Sequence, residues 1–241
     1  TLEHPIMVLN DIEGIKNILT LSKNSGVKRV FYSSSSEVYG EPFEIPQNEN
    51  TTPLNSRLPY AVVKNVGEAF FKSYQKEYGL DYTIFRFFNT YGPNMNPNDG
   101  RVVSNFIVQA LKGEDITIFG DGKQTRSFCY ITDQVEGIFR LLMSDYVEPI
   151  NIGNPHEITI GDFAEEIIKL TGTDQKVVYK PLPQDDPTQR QPNIDKARSI
   201  LGWEPKVNRA DGLKITYEYF KSLSLEELLK EEHKDFKSYI H

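Results

Sequence analysis

Tyr60 and Lys64 are the residues whose types and spacing most clearly suit proton-transfer chemistry. They stand four positions apart in the segment LPYAVVKN, so on a helix both side chains project from one face. A phenol exchanges its proton near neutral pH only if its pKa is lowered, and a neighbouring ammonium lowers it by stabilising the phenolate. The pair could therefore be a catalytic centre, although tyrosine and lysine at this spacing also occur by chance in many helices.

A run of serines followed by a carboxylate stands at the end of a predicted strand. The β-prone run 27–32, VKRVFY, predicts the strand, and Ser33 to Ser36 and Glu37 follow it. Ligands of open α/β sheets bind at the carboxyl ends of the strands. These side chains are therefore candidates for ligand contacts, while a flexible turn and a surface carboxylate remain the simpler alternative.

Alternating helices and strands must position these residues. Apolar residues at helical spacing predict one helix around residues 12–19 and a second that ends at Gly79, and a strand is expected over 81–88. Strands that alternate with helices of this length indicate parallel βαβ units. The first ninety residues therefore predict half of a doubly wound parallel α/β sheet.

The later part of the chain has a less regular order of elements. Thr159 and Asp162 can cap a helix that runs to Gly172. The polar loop 181–193 leads to short terminal helices, and the stretch 224–237 indicates a charged amphipathic helix. The other expected elements are helices over 102–112 and 132–144 and strands over 115–119 and near residue 150.

Composition narrows the class of protein. The 241 residues include 27 basic and 34 acidic side chains, a formal net charge of −7, so we expect no nucleic-acid partner. No apolar run approaches the roughly 20 residues of a membrane helix, and no signal peptide is recognised, so no membrane association is expected. The single cysteine, Cys129, favours a cytoplasmic protein. The four histidines lack metal-ligand spacing, so no metal is expected.

Four motifs occur in a fixed order: SSSSEVYG (33–40), PYAVVK (59–64), RFFNTYGP (86–93) and QTRSFCYITD (124–133). Together they resemble the extended short-chain dehydrogenases/reductases that act on nucleotide sugars. Within that group, the stretches 98–128 and 185–207 are similar to the UDP-glucuronate decarboxylases, which make UDP-xylose. The resemblance implies a Rossmann-like doubly wound parallel sheet in an NAD-binding domain, residues 1–92. It also implies a smaller C-terminal α/β substrate-binding domain over 93–241, some of whose segments return to the sheet.

The resemblance also implies catalytic roles. Tyr60 would take the proton of the sugar 4-hydroxyl while the C4 hydride moves to NAD, and Lys64 would favour the phenolate. Ser35 would hydrogen-bond the sugar, and Glu37 would act as acid or base beside the ring. Arg190 would position the substrate carboxylate, which leaves as carbon dioxide from the 4-keto intermediate. A solvated loop arginine is the alternative for Arg190.

Further residues match the ligand contacts of this family. Ser33 and Ser34 would contact NAD together with the Tyr–Lys pair. The residues that would bind the nucleotide of a UDP-sugar are Asn89, Arg101, Phe119, Gln124 and Arg126. For these positions a turn residue, a core aromatic and solvated surface charges remain the alternatives. A homodimer through the helices at about 10–25 and 58–78 is also implied.

The sequence departs from the family pattern in two respects. It lacks the glycine-rich turn that holds the NAD pyrophosphate, so we expect that roughly the first third of such an enzyme is absent and that this chain alone binds NAD poorly. The segment 52–65 is closer to epimerases and dehydratases. A 4,6-dehydratase would carry an Asp–Glu pair where Ser36 and Glu37 stand. A 4-epimerase needs no extra carboxylate near C5 of the sugar, so Glu37 would be surplus in such an enzyme. A decarboxylase is the leading prediction, with an epimerase, a dehydratase or a catalytically silent nucleotide-sugar-binding protein as alternatives.

Overall fold

The computed structural model describes residues 5–181 and 188–229. Its helices are α1 (Pro5–Asn24), α2 (Pro59–Tyr78), α3 (Val102–Lys112), α4 (Ile131–Leu142), α5 (Ile160–Thr171), α6 (Asp195–Leu201), α7 (Arg209–Ser222) and α8 (Leu225–Leu229), with a 3-10 helix at Ser36–Tyr39. Its strands are β1 (Arg29–Ser35), β2 (Asp81–Phe87), β3 (Thr90–Tyr91), β4 (Ile116–Phe119), β5 (Thr125–Ser127), β6 (Cys129–Tyr130), β7 (Ile150–Ile152), β8 (Glu157–Thr159) and β9 (Val177–Lys180).

Three parallel strands form the central sheet, in the order β1–β2–β7. The register runs from Arg29 opposite Asp81 to Ser35 opposite Phe87, so β1 and β2 end at the same edge of the sheet. An apolar cluster that includes Leu19, Phe71 and Tyr82 packs α1 and α2 on the sheet. A second cluster, which includes Leu141, Ile150, Ala197 and Trp203, involves α4, α6 and β7. These parallel strands between helices confirm the predicted α/β class.

A separate apolar cluster lies beyond the sheet. It joins α3, α5 and α7 around four buried phenylalanines, Phe106, Phe128, Phe163 and Phe220. Beside it, β4 pairs with β9 in parallel, β3 pairs with β6 in parallel, and β5 pairs with β8 in antiparallel orientation. The proposed division of the chain at residues 92 and 93 stays a prediction.

Most of the longer predicted elements agree with the structure to within a few residues, but the first helix, expected around residues 12–19, extends over Pro5–Asn24. The helix predicted to end at Gly79 is α2, whose cap residue Gly79 has a left-handed backbone at φ 69°. The Thr159 hydroxyl accepts a hydrogen bond from the Asp162 backbone N–H at 3.0 Å, as the capping pattern predicts. Four strands of two or three residues (β3, β5, β6 and β8) and β9 were not predicted, because runs so short carry no periodic signal. Much of the expected helix 224–237 lies outside the described residues, as do residues 182–187 of the polar loop.

Residues 5–181 and 188–229 lack two general features, a membrane-spanning helix and a cluster of metal ligands. No helix in these ranges is long and apolar enough to cross a lipid bilayer. The same ranges hold no group of three or more His, Cys, Asp or Glu side chains that could bind a metal ion.

Stability at high pH should depend on Tyr39, which is fully buried under the sheet. Burial raises the pKa of Tyr39 from 10.0 to about 12, although Arg86 acts in the opposite direction. Between pH 10 and 12 the unfolded chain loses this proton and the folded chain keeps it, so stability falls as the pH rises. Two pKa units correspond to about 3 kcal/mol. Urea unfolding at pH 8 and at steps up to pH 12 should show this loss.

The matched variant is Tyr39→Phe, which cannot ionise at this position. It should be less stable than the parent protein at pH 8 but lose less stability between pH 10 and 12. The same pH dependence in both proteins would show that other groups cause the alkaline destabilisation.

Candidate active site

A cavity of about 530 Å³ lies at the carboxyl ends of β1 and β2. This volume falls within the range of small-molecule sites, about 300–1,000 Å³. Nine side chains predicted to contact substrate or perform catalysis line its wall: Ser35, Glu37, Tyr60, Asn89, Arg101, Phe119, Gln124, Arg126 and Arg190. Three other predicted site residues, Ser33, Ser34 and Lys64, are not on the wall. The fold therefore gathers residues from six separate segments of the chain around one cavity.

Tyr60 and Lys64 face the end of β1 from the first turns of α2. The helix begins at Pro59. Proline suits the first helical position, because a backbone N–H there would have no hydrogen-bond partner within the helix. The Lys64 ammonium donates to the Ser33 carbonyl at 2.9 Å and lies 5.6 Å from the centre of the Tyr60 ring. Gly67 permits this close packing, because a Cβ there would lie only 2.0 Å from the Tyr32 hydroxyl oxygen. The pair is thus held against the strand end.

The electrostatic surroundings keep Tyr60 in its neutral form. Burial raises the pKa of Tyr60, hydrogen bonding with Ser35 lowers it, and the charge of Glu37 raises it further. Burial lowers the pKa of Lys64. The expected ionisation of Tyr60 near neutral pH therefore needs more positive charge than this chain alone supplies.

Glu37 and Arg190 form an ion pair at the wall of the cavity. Both terminal nitrogens of the Arg190 guanidinium donate to the Glu37 carboxylate, and the Nη2–Oε2 distance is 2.6 Å. The Arg190 side chain is 9% exposed, and the Glu37 side chain is 25% exposed. Arg190 was predicted to hold a substrate carboxylate, and the structure places a carboxylate of the protein itself against it. The alternative of a solvated loop arginine is wrong, because the side chain is buried.

Local hydrogen bonds hold the two segments that carry Glu37 and Arg190. The Ser35 hydroxyl caps the 3-10 helix by accepting from the Glu37 backbone N–H at 3.2 Å. On the other side, Gln47 holds the segment after Arg190, because its side-chain oxygen accepts from the Gln191 backbone N–H at 2.8 Å. The Glu37–Arg190 ion pair thus depends on the capped 3-10 helix after β1 and on the loop that Gln47 holds.

The two serines predicted to bind NAD have partners within the protein. The Ser34 hydroxyl is fully buried and donates to Glu68 Oε1 at 2.5 Å. Ser33 contributes its backbone carbonyl, which accepts from Lys64. Their contribution to cofactor binding stays a prediction, and the Ser34 hydroxyl would act only through its neighbours.

The cavity wall also carries an aromatic ring and two arginines. Phe119 ends β4 and is 43% exposed, so the alternative of a core aromatic is wrong. The Gln124 side chain donates to the Phe119 carbonyl at 2.5 Å and supports that strand end. The exposed Arg101 lies 3.5 Å from Asp99, whereas Arg126 is 7% exposed and donates to the Thr125 carbonyl. An exposed aromatic ring suits stacking on a nucleotide base, and arginines suit an anionic diphosphate.

Several residues of the site were not predicted. Additional lining residues include Phe87, Thr90, Met95, Asn105 and Thr117. Beneath the cavity, Glu68 pairs with Arg86 at 2.6 Å. The position of Glu68 carried a usable signal, because it follows Tyr60 and Lys64 at successive intervals of four on the same helix face.

The fold and the site define an α/β protein with a ligand cavity at the carboxyl ends of parallel strands and a Tyr–Lys pair beside it. The NAD dependent epimerase/dehydratase family matches residues 2–153, more than half of the chain, so the chain belongs to this family.

Three relatives illustrate the relationship. UDP-glucuronic acid decarboxylase 6 of Arabidopsis thaliana is 45% identical over 218 residues, which cover 89% of this chain and 63% of that protein. The chain thus spans less than two thirds of that relative. The structure of UDP-glucose 4-epimerase from Thermotoga maritima, with UDP-glucose, has a TM-score of 0.85 at 34% identity and covers 89% of this chain and 70% of that one. UDP-glucuronic acid 4-epimerase from Bacillus cereus, in complex with UDP-glucuronic acid and NAD, has a TM-score of 0.83 at 30% identity and covers 89% and 68%.

Proposed function

We propose that this chain is part of an NAD-dependent enzyme that decarboxylates UDP-glucuronate through a 4-keto intermediate. The observation that carries the proposal is the meeting of Glu37 and Arg190 at the wall of a cavity that Tyr60 also lines. An acid–base group, a carboxylate-binding group and a proton acceptor are the functions that this reaction requires. The 45% identity to a UDP-glucuronic acid decarboxylase exceeds the 34% and 30% identities to the two epimerases and supports the same reaction.

Each step has a residue suited to it. Tyr60 takes the proton of the sugar 4-hydroxyl, and Ser35, which hydrogen-bonds with it, orients that hydroxyl. When bound, NAD would supply the acceptor for the C4 hydride and the source from which that hydride returns. Oxidation at C4 produces a β-keto acid, whose C5–carboxylate bond breaks and leaves its electron pair in an enolate. One proton from solvent then replaces the lost carboxylate at C5, and Glu37, which is ionised in its pair with Arg190, accepts this proton and passes it to C5.

The ion pair suits decarboxylation because it orients a carboxylate without over-stabilising it. A lone guanidinium would hold the substrate carboxylate strongly and so oppose its loss as neutral carbon dioxide. Glu37 already compensates the charge of Arg190, and two of the five N–H donors of the guanidinium point to Glu37. The Arg190 Nε is buried and has no hydrogen-bond partner among the described residues. The guanidinium can therefore direct a second carboxylate while its net attraction stays moderate.

Two residues of this chain fit part of NAD. Lys64 is an ammonium beside the end of β1, with three N–H donors, and Tyr60 lies next to it at the cavity wall. Positive charge from a bound oxidised nicotinamide would lower the raised pKa of Tyr60. We therefore assign to this chain the nicotinamide half of the cofactor site.

A nucleotide-sugar 4-epimerase is the second candidate. It is favoured by the structural similarity to UDP-glucose 4-epimerase, at a TM-score of 0.85. Epimerisation needs the same Tyr60 chemistry and leaves the sugar carboxylate, where present, in place. A 4,6-dehydratase is disfavoured, because Ser36 stands where an acid for the departing hydroxyl would be needed.

The test is incubation of the purified full-length gene product with UDP-glucuronate, with carbon dioxide release and the UDP-sugar product measured. Carbon dioxide and UDP-xylose would establish the decarboxylase. UDP-galacturonate, or turnover of neutral UDP-sugars alone, would establish an epimerase instead. Bound NAD or UDP without any turnover would indicate a catalytically silent relative.

We further infer that the protein forms a homodimer through α1 and α2. The inference is supported by four apolar side chains of α1 that are more than half exposed: Ile6, Leu9, Ile18 and Leu21. Exposed apolar patches of this kind mark association surfaces. Sedimentation equilibrium should give a dimer mass, and a monomer mass at all concentrations would contradict the inference. The cytoplasmic location stays a prediction.

A further inference from the structure

A buried ion pair beneath the cavity is the strongest unassigned feature of the molecule. The Arg86 guanidinium on β2 donates to both carboxylate oxygens of Glu68 on α2, at 2.9 and 2.6 Å. Both side chains are about 5% exposed or less. Ser34 on β1 donates to the same carboxylate at 2.5 Å. Burying two charges gains little stability over apolar residues, so stability alone does not explain this ion pair.

The ion pair continues as an unbroken chain of hydrogen bonds across the sheet. Arg86 Nη1 donates to the Tyr39 hydroxyl at 2.9 Å, and that hydroxyl donates to the Asn151 side-chain oxygen at 2.8 Å. The Asn151 amide nitrogen donates to the backbone carbonyls of Gln47 and Asn193, at 2.9 and 3.2 Å. One connected network therefore links α2, all three strands of the central sheet and two loops.

Members of this network are chain neighbours of the residues assigned to catalysis. Ser34 directly precedes Ser35, which hydrogen-bonds with the reactive tyrosine. Tyr39 follows Glu37 by two residues in the same 3-10 helix. Backbone neighbours move together, because one residue spans only about 3.5 Å of chain. Displacement of either network member would therefore move the catalytic side chain beside it.

The remaining catalytic groups are linked in the same way. Gln47, which accepts from Asn151 through its carbonyl, also holds Gln191 and so the segment that carries Arg190. Glu68 is two helical turns from Tyr60 on α2 and ties that helix to β1 and β2. The network thus reaches both sides of the cavity, while none of the side chains that form these hydrogen bonds lines the cavity wall.

We propose that the Glu68–Arg86 pair is a positioning device that sets the spacing between the tyrosine side of the cavity and the Glu37–Arg190 pair. The proposal rests on the proposed function for its kinetic readout, and on geometry alone for its structural readout. Packing forces by themselves do not specify this spacing, because the two sides come from loops and helix ends that can shift. A buried network in which the Glu68, Arg86, Tyr39 and Asn151 side chains are all hydrogen-bonded favours one arrangement of the segments that it joins.

The test is the double variant Glu68→Leu/Arg86→Met in the full-length protein. Apolar residues of similar size commonly replace a buried ion pair without loss of stability, so the variant should fold. We expect kcat for UDP-glucuronate to fall about 100-fold, as for small misplacements of reacting groups, with the Kd for UDP unchanged. Crystal structures should show the Glu37–Arg190 pair displaced relative to Tyr60. Thr216→Val, which removes a buried hydroxyl of α7, is the control for general destabilisation.

Each outcome decides the inference. A folded double variant with parental kcat and an unmoved Glu37–Arg190 pair would overturn it. If the double variant does not fold, Tyr39→Phe breaks the network at one hydroxyl and should lower kcat about tenfold, and parental kcat in that variant would overturn the inference. If the parent protein has no activity on UDP-glucuronate, the proposed function fails, and the crystal structures still decide the positioning role.

Discussion

Replacement of Tyr60 by phenylalanine is expected to lower kcat about 1,000-fold, with the fold and the affinity for UDP preserved. The substitution removes only the hydroxyl that would take the substrate proton, and positioned acid–base groups contribute about 10²–10⁴-fold to rate. Tyr60 is 36% exposed at the cavity, so loss of its hydroxyl leaves no gap in the core. Steady-state kinetics with UDP-glucuronate and calorimetric titration with UDP measure the two quantities.

The matched control is Tyr74→Phe on the same helix. Its hydroxyl makes a 3.0 Å hydrogen bond to Thr20 between α2 and α1, far along the helix from the cavity. We expect Tyr74→Phe to retain kcat. Full activity of Tyr60→Phe would remove the tyrosine from the mechanism and favour a silent or differently catalysed reaction.

Replacement of Arg190 by glutamine is expected to lower kcat/KM for UDP-glucuronate about 100-fold and to leave the Kd for UDP unchanged. Hydrogen bonds to charged groups contribute about 1.5–3 kcal/mol, and each 1.4 kcal/mol is tenfold. The variant loses both the orientation of the substrate carboxylate and the partner of Glu37. Thermal unfolding of the same samples measures how much stability is lost with the ion pair.

The control is Arg209→Gln, which breaks a partly buried ion pair to Glu166 with a 2.8 Å separation. Neither of these residues lines the cavity. We expect this variant to be somewhat less stable and fully active. If Arg190→Gln weakens UDP and UDP-glucuronate binding equally, the arginine supports the loop rather than the sugar carboxylate. A selective loss with UDP-glucuronate, absent with neutral UDP-sugars, would identify the group that Arg190 recognises.

Local physics made much of the fold predictable. The helices α2, α3 and α5 carry apolar residues at helical spacing and end at glycines with left-handed backbones, so their ends follow from a few neighbouring residues. The alternation of these helices with strands indicated the parallel α/β class. The placement of Tyr60 and Lys64 on one face of α2 likewise depends only on helix geometry.

Contacts between distant segments could not be predicted in the same way. Glu37 and Arg190 are 153 positions apart, and nothing in either local sequence indicates that they meet. The same holds for the use of the Ser34 hydroxyl by Glu68 and for the network through Arg86. Such pairings follow from how helices and loops pack on the sheet, because packing brings together groups that chain order separates.

The sequence by itself determined the long helices and strands and the resemblance to the epimerase/dehydratase family, and it indicated the candidate reactive residues. Only the tertiary structure decided that Arg190 faces a carboxylate of its own chain. It also decided that the pKa of Tyr60 is raised by burial, where the sequence predicted a lowered pKa beside Lys64. The physical reason is that charge interactions and desolvation depend on distance and burial in space. A motif specifies which groups are present, and the packed fold decides the electric environment in which they act.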